Sequence, residues 1–497
     1  MLQQIYESTI NFQNRVSKIQ RKGKGQFFTP LSVAKYMASF STNSMPYIRI
    51  LDCGAGTGIL AATLCDKLLE NELVHTVVLD LYENDNVVLP ILRQNIQIMI
   101  ETFREAGKQL NVNIIEDNFI LYNQELWNSK ELEGEYDIII ANPPYKKLTK
   151  SAPESKAMLD IVHGQPNIYF LFMAMSSKLL RENGEMIFIT PRSFTSGAYF
   201  KAFREDFLNT ISIKHIHVFN SRTRVFDGEQ VLQEAIIIKA IKDINKRDVI
   251  KITTSNDMDF EHGENFQVDY NIIVDMENNN KYILIPSSLE DIKILRIVTK
   301  WQNNLIDLGF KIKTGPVVDF RAKEWIREFP DNITVPLLYP EHYKDNKIKF
   351  PINTNKKFQY IKNIDKTRNI MLDNKNYLLI KRFTAKEESR RLQCAIYFAE
   401  NYNQYNQIGI ENHNNYLAKL NGNITYEELY GMFCLFNSSI LDKYYRIMNG
   451  NTQVNATETN SIPLPDLNVI CELGSELMKR ENITTKECDN IIKRIIY

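Results

Sequence analysis

Four consecutive residues, Asn142-Pro143-Pro144-Tyr145, carry the sharpest chemical signal in the chain. They follow Tyr136-Asp137-Ile138-Ile139-Ile140-Ala141, a nearly continuous apolar run of the kind that forms a strand buried on both faces. Two prolines in succession fix their own φ and push the residue before each towards an extended conformation, so carbonyl groups are held rigidly beyond the strand end. The Asn142 side-chain oxygen and the Pro143 carbonyl then form a pair of hydrogen-bond acceptors in fixed positions. Such a pair suits the exocyclic amine of an aromatic ring, a poor nucleophile because its lone pair is delocalised. Accepting both amine protons draws the nitrogen towards tetrahedral geometry and aims its lone pair at an electrophile, which is catalysis by positioning and preorganised electrostatics. Tyr145 adds an aromatic face on which a planar base can stack. The competing structural reading is a plain Pro-Pro turn at a strand end.

A second signal lies upstream. Ile50-Leu51-Asp52-Cys53-Gly54-Ala55-Gly56-Thr57-Gly58-Ile59 reads as a strand, a glycine-rich turn and a helix start. Glycine lets the backbone turn tightly and approach a ligand closely, and a helix N-terminus follows at the carboxyl edge of the sheet. The spacing is G-x-G-x-G, with Ile59 in the third slot of a dinucleotide fingerprint, and no Gly-Lys-Ser/Thr follows to make a P-loop. It resembles motif I of S-adenosylmethionine (AdoMet)-dependent methyltransferases. That resemblance assigns Gly54, Ala55, Gly56, Thr57 and Gly58 to the cofactor and makes Asp52 the acceptor for its methionyl amino group, directly or through water. In Leu81-Tyr82-Glu83-Asn84-Asp85, at the end of the next strand, Glu83 is chosen over Asp80 as the carboxylate that accepts both ribose hydroxyls. A ligand-free tight turn and a solvated acidic loop are the competing readings of these two stretches.

These side chains need a frame to hold them. Runs at 48–53, 76–82, 112–115, 136–141, 185–190, 215–219 and 235–240 read as strands, and helix-like stretches at 59–70, 87–106 and 167–181 lie between them. This alternation predicts an α/β fold with a mainly parallel sheet covered by helices on both sides. Beyond about residue 245 apolar runs shorten, Asn, Lys and Tyr rise, and the alternation stops. The expected division is therefore 1–245 and 246–497. A chain of 497 residues that is 44% hydrophobic and 24% charged is long enough and apolar enough to fold as several domains. Its longest apolar stretch, 168–175, falls far short of the ~18 residues of a membrane span. No signal-peptide pattern opens the sequence, which makes a cytoplasmic location the default. Six Cys with no C-x-x-C pair argue against zinc and against a disulfide framework, so no metal is expected. The 60 basic and 60 acidic residues cancel, which taken alone speaks against a polyanionic partner. The distribution does not cancel. Residues 1–50 hold 7 basic against 1 acidic, 51–150 hold 8 against 16, and 301–400 hold 19 against 12.

Taken together, the two motifs resemble the gamma class of N6-adenine DNA methyltransferases, the TaqI type. The likeness extends to Gln26-Phe27-Phe28-Thr29-Pro30 as motif X, Asn167-Ile168-Tyr169-Phe170 as motif V, Thr190-Pro191-Arg192-Ser193-Phe194 as motif VI and Val225-Phe226-Asp227-Gly228 as motif VIII. It implies a Rossmann-like AdoMet-dependent catalytic domain whose segment 1–46 includes a lid, with Phe28, Thr29 and Pro30 over the methionine end of the cofactor. It also implies Asn142 touching both substrate and cofactor, and Phe226 stacking on a flipped base opposite Tyr145. Asp117, preferred to Asn118, would accept from the cofactor adenine. The remainder, 246–497, would be a mixed α+β target-recognition domain on double-stranded DNA. Its candidate contacts are Lys313, Arg321, Lys381, Arg382, Arg390, Arg391, Asn451, Gln453 and Asn455, each of which could equally be a solvated surface residue. Thr314–Arg321, 411–416 and the Asn-rich 449–457 resemble the stand-alone type II modification methylases of the PstI/BsuBI kind. That subgroup implies a monomer acting on a palindrome such as CTGCAG, with a separate endonuclease cutting the same site.

Three other readings compete. A protein-glutamine or RNA N-methyltransferase could use the same Asn-Pro-Pro-Tyr chemistry, but protein-glutamine enzymes lack so long a C-terminal half and the Phe-x-Thr-Pro lid. A bifunctional restriction enzyme would need a nuclease domain, for which the residues before motif X are too few. A DNA-binding protein on a degenerate methylase fold would have lost Asn142 or Tyr145, and both are present.

Overall fold

The computed structural model describes residues 1–16, 28–129, 134–164, 166–220, 234–256, 259–353, 357–385, 387–450 and 453–496. The chain divides into two compact units, Met1–Leu289 and Glu290–Tyr497.

In the first unit the strands are β1 (Tyr47–Asp52), β2 (Thr76–Tyr82), β3 (Gln109–Ile115), β4 (Tyr136–Ala141), β5 (Leu180–Pro191), β6 (Ser212–Phe219), β7 (Ala235–Ile241), β8 (Val249–Ser255) and β9 (Asn265–Asp269). They form one sheet in the order β3-β2-β1-β4-β5-β7-β6-β8-β9. From β3 to β5 all neighbours are parallel, with Ile50 of β1 beside Leu79 of β2 and Ile138 of β4. Strand β7 runs antiparallel between β5 and β6. All seven strands read from the sequence are present. Ile48, Ile50, Leu51 and Ile138–Ala141 are inaccessible to solvent, as their continuous apolar runs require.

The first unit does not end where the sequence texture changes. Strand β8 lies parallel beside β6, and β9 closes the edge antiparallel to it. Strand β9 alternates buried and exposed residues, and β8 ends in the buried but polar Thr253, Thr254 and Ser255, so neither carries the apolar run that marks the central strands. The unit therefore runs past 245 to Leu289.

Helices α1 (Leu2–Arg15), α2 (Leu31–Ser39), α3 (Ile59–Leu69), α4 (Leu89–Glu105) and α5 (Ile168–Leu179) accompany the sheet. Seven of the first eight residues of α3 and the 168–175 stretch of α5 are apolar or small; α3 buries eight of its eleven residues and α5 all of its twelve but Lys178. Each large aliphatic or aromatic group so buried contributes ~1.5–3 kcal/mol. The apolar run at 168–175 is thus core helix, and no described helix is long and apolar enough to cross a membrane. Chain order reverses at β1, with β2 and β3 on one side and β4 and β5 on the other, which opens a crevice beyond the carboxyl ends of β1 and β4.

In the second unit the strands are β10 (Phe310–Thr314), β11 (Ile326–Arg327), β12 (Thr334–Leu338), β13 (Tyr343–Lys344), β14 (Lys347–Ile348), β15 (Tyr360–Lys362), β16 (Leu372–Asp373), β17 (Tyr377–Lys381), β18 (Cys394–Tyr397), β19 (Gln407–Ile410) and β20 (Asn414–Lys419). They make a six-stranded sheet, β10-β20-β17-β18-β14-β13, and a five-stranded one, β11-β15-β12-β19-β16. Four longer helices, Tyr426–Phe436, Ser439–Met448, Leu467–Met478 and Thr485–Ile495, complete a mixed α+β unit.

Candidate active site

Strand β1 ends at Asp52, and the glycine turn carries the chain into α3. Gly56 and Gly58 sit at φ 54° and 84°, in the left-handed region that favours glycine. A Cβ on Gly58 would lie 3.0 Å from Leu92 of α4. Two residues that the sequence did not flag pin the turn. The Thr9 hydroxyl on α1 lies 2.9 Å from the Thr57 hydroxyl, and the Asn95 amide donates to the Thr57 carbonyl at 2.8 Å.

Asp52 is fully buried. Its Oδ1 accepts from the Gly54 N–H at 3.3 Å, while Oδ2 has no hydrogen-bond partner among the described residues. Burial pushes its pKa up to about 7; the Gly54 N–H opposes the shift and the nearby Glu83 carboxylate adds to it. Glu83 accepts from the Gly56 N–H at 3.0 Å and from the Asp85 N–H at 2.8 Å, and burial raises its pKa too. Asp80 is committed elsewhere, to Tyr136, Asn113 and Arg49.

The Asn142-Pro143-Pro144-Tyr145 turn leaves β4 at the same sheet edge. The Asn142 Nδ2 donates to Thr29 Oγ1 at 3.1 Å, and the Tyr145 hydroxyl donates to Asn142 Oδ1 at 2.8 Å. The amide is therefore oriented with its oxygen towards Tyr145. The same hydroxyl lies 3.1 Å from the Ile189 carbonyl, and burial keeps its pKa far above the usual phenol value. The Tyr145 ring meets Tyr169 edge-on at 6.3 Å.

Both motifs line one cavity of about 640 Å³. Its wall includes Phe28 and Thr29, Gly54 to Thr57, Glu83, Asp117, Asn142 and Pro144. That volume lies within the usual range for a cofactor-sized ligand. Asn118, which lines the cavity beside Asp117, accepts from the Ile120 and Leu121 N–H groups at a helix start and donates to Glu154, while Asp117 Oδ1 accepts the Asn118 N–H. Phe172, Lys146 and Glu154 also line the cavity and were not anticipated. Lys146 directly follows Tyr145, and Phe172 stands one helical turn after Ile168, a spacing from which a shared face could have been read. Phe226 lies outside the described residues, as does Asn451.

The second unit sorts the candidate DNA contacts. Lys313 and Arg321 are exposed, and Lys381 and Arg382 are half-buried. Gln453 is exposed, while Asn455 caps a short helix by accepting from the Thr457 N–H. Arg390 spends its guanidinium on the Leu392, Phe436 and Ser438 carbonyls. Arg391 is a correction. It is fully buried, bonded to Thr384 and set 5.7 Å from the Tyr445 ring, so no phosphate can reach it.

The Eco57I restriction-modification methylase family model matches residues 60–226. The chain is 34% identical over 483 residues to the type II methyltransferase M.BsuBI of Bacillus subtilis, covering 95% of this chain and 94% of that one. It is 32% identical over 475 residues to the type II methyltransferase M.PstI of Providencia stuartii, covering 95% and 93%. Among solved structures, a nuclease-deletion mutant of the type ISP enzyme LlaGI matches with a TM-score of 0.48 and 12% identity, over 91% of this chain and 54% of that chain.

Proposed function

The chain belongs to the type II restriction-modification methyltransferases, AdoMet-dependent enzymes that methylate DNA, and from that premise we propose that it methylates N6 of an adenine flipped out of a short duplex site. The observation that carries this reading is the shared cavity: Asn142, oriented by Thr29 and Tyr145, and the glycine turn Gly54–Thr57 line one space, and the buried Asp52 carboxylate ends the strand that enters that turn.

The residues present fit the cofactor. A buried carboxylate oxygen with no donor suits the methionyl ammonium, Glu83 suits the ribose hydroxyls, and Asp117 suits the adenine amine. AdoMet supplies an electrophilic methyl group on a sulfonium. The chain's own residues supply orientation. A carbonyl oxygen has two lone pairs, so Asn142 Oδ1 can accept from the target amine as well as from Tyr145. Together with the Pro143 carbonyl it would take both N6 protons and turn the nitrogen lone pair towards the methyl group. Flipping the base costs a few kcal/mol, and stacking on Tyr145 and Phe226 at ~1–3 kcal/mol per base offsets part of that.

The long second unit favours duplex DNA over protein glutamine or RNA. The similarity to the type II methyltransferases M.BsuBI and M.PstI spans 95% of this chain, and the motif resemblance to that subgroup extends the reading to a stand-alone monomeric methylase paired with a separate endonuclease, on a palindrome of the CTGCAG kind. The test is incubation with labelled AdoMet and DNA, RNA and protein in parallel, followed by mapping of the methylated atom. Label at adenine N6 in duplex DNA is expected; label only in protein or RNA would overturn the proposal. In Asn142→Ala, turnover is expected to fall by about 10²–10³ or more while AdoMet still binds, and unchanged turnover would remove Asn142 from the mechanism.

A further inference from the structure

Four segments far apart in sequence converge at one end of the six-stranded sheet of the second unit. Strand β20 pairs with both β10 and β17, setting Asn415 beside Thr314 and Asn414 beside Lys381. Val317 bridges to Glu411, and Phe383 bridges to Gln453. The joints are fixed from within: buried Asn415 donates to the Val454 carbonyl at 2.7 Å, and its Oδ1 accepts from Thr314 at 3.0 Å.

At the centre stands His413. Its Nδ1 pairs with Glu411 Oε1, and its backbone N–H donates to Glu411 Oε2 at 2.9 Å. The Glu411 side chain is 0% exposed and that of His413 is 50% exposed. A carboxylate taken wholly out of water is costly unless its partners hold it. Here it is spent on one half-exposed histidine, held through its ring Nδ1 and its backbone N–H, whose Nε2 has no partner among the described residues. Phe383 lies 5.0 Å from the imidazole and is itself 42% exposed. The Arg382 guanidinium sits 5.2 Å from the Phe383 ring, and its Nη1 donates to the Asn412 carbonyl at 3.2 Å. On the neighbouring segment Phe320 is 72% exposed, with Arg321 5.5 Å from its ring. Exposed phenylalanines paired with arginines, around a histidine on a buried acid, are hard to explain as a solvated face.

We infer that His413 reads a base edge of the DNA, with Glu411 as its positioning residue and Arg382 and Phe383 as its flanks. Glu411 holds Nδ1, so Nε2 is the ring nitrogen left to hydrogen-bond a base edge in the major groove. The inference rests on duplex DNA being the substrate.

The experiment maps methylation sites genome-wide in a host lacking other methylases, for the wild type, His413→Ala and Glu411→Gln. Discrimination at one base pair of the site is expected to fall roughly 5- to 150-fold in His413→Ala. The same position is expected to relax in Glu411→Gln, with AdoMet affinity unchanged in both. Uniformly weaker binding with an unaltered motif would mean a phosphate contact and overturn the inference, as would a motif and rate equal to wild type. If Glu411→Gln unfolds, half-exposed His413→Ala decides alone, its folding checked by its melting temperature. A wild type that leaves DNA unmethylated fails the proposed function instead, so the two failures are told apart.

Discussion

Asp52 shows what a single residue contributes and costs. An unfolded Asp titrates near 4, whereas in the folded protein the Asp52 carboxyl titrates at about 7 because it is buried. Between those values the folded protein holds a proton that the unfolded chain has lost. The Asp52 contribution to stability is therefore full below pH ~4 and declines as pH rises to about 7, a loss of about 4 kcal/mol at ~1.4 kcal/mol per unit. The same carboxylate, once ionised, attracts the cofactor's ammonium. AdoMet affinity is accordingly expected to rise with pH between 6 and 8. Asp52→Asn keeps the acceptor for the Gly54 N–H, so it is expected to melt at a higher temperature than wild type at pH 8, with no gain at pH 4. It is also expected to bind AdoMet more weakly and without that pH dependence. Calorimetric titration and thermal melts at both pH values check this; a variant that binds AdoMet as well as wild type would free Asp52 from the assigned role.

Among the elements, α1 does work that its position before motif X does not advertise. Its buried face, Leu2, Ile5, Thr9 and Phe12, packs towards the core, and Thr9 meets Thr57 in the glycine turn. Helix α1 thus supports the loop that receives the cofactor. Ile5 is fully buried, and Ile5→Ala is expected to cost about 2–5 kcal/mol in urea unfolding, with weaker AdoMet binding as the turn loses its support. Normal stability would show that α1 packs loosely. The β6–β8 pair explains why the first unit outruns its apolar texture. His215 and His217 on β6 face Thr253 and Ser255 on β8, and burial holds both imidazoles near a pKa of 3, hence neutral. That contact is polar and leaves no trace in hydrophobic periodicity.

For the whole molecule, the zero net charge conceals its distribution. The excess of basic residues at 301–400 falls in the second unit, but the structure divides it by task. Lys313 and Arg321 reach solvent, whereas Arg390 and Arg391 hold the unit together. Lys313→Ala and Arg321→Ala are each expected to lower the slope of log Kd against log salt by about 1 if they contact phosphate. Arg391→Ala is expected to leave the slope unchanged and to melt at a lower temperature. The opposite pattern in salt titrations would reverse the two assignments.

The strands of the catalytic sheet, the glycine turn and the Asn-Pro-Pro-Tyr turn were all legible in the sequence, because their signals are local. Apolar runs specify buried strands, glycines specify left-handed backbone, and two prolines specify a rigid strand exit. The choice between Asp117 and Asn118 was not decided by the sequence: both line the cavity, and only the fold shows that Asn118 also caps a helix and bonds to Glu154. Other features depend on residues distant along the chain. The burial that raises Asp52, the Thr29 hydroxyl that orients Asn142, the Glu411 grip on His413 and the interior position of Arg391 all arise from packing. An arginine reads the same in the sequence whether it meets a phosphate or a buried carbonyl, since only the tertiary fold determines whether water reaches it.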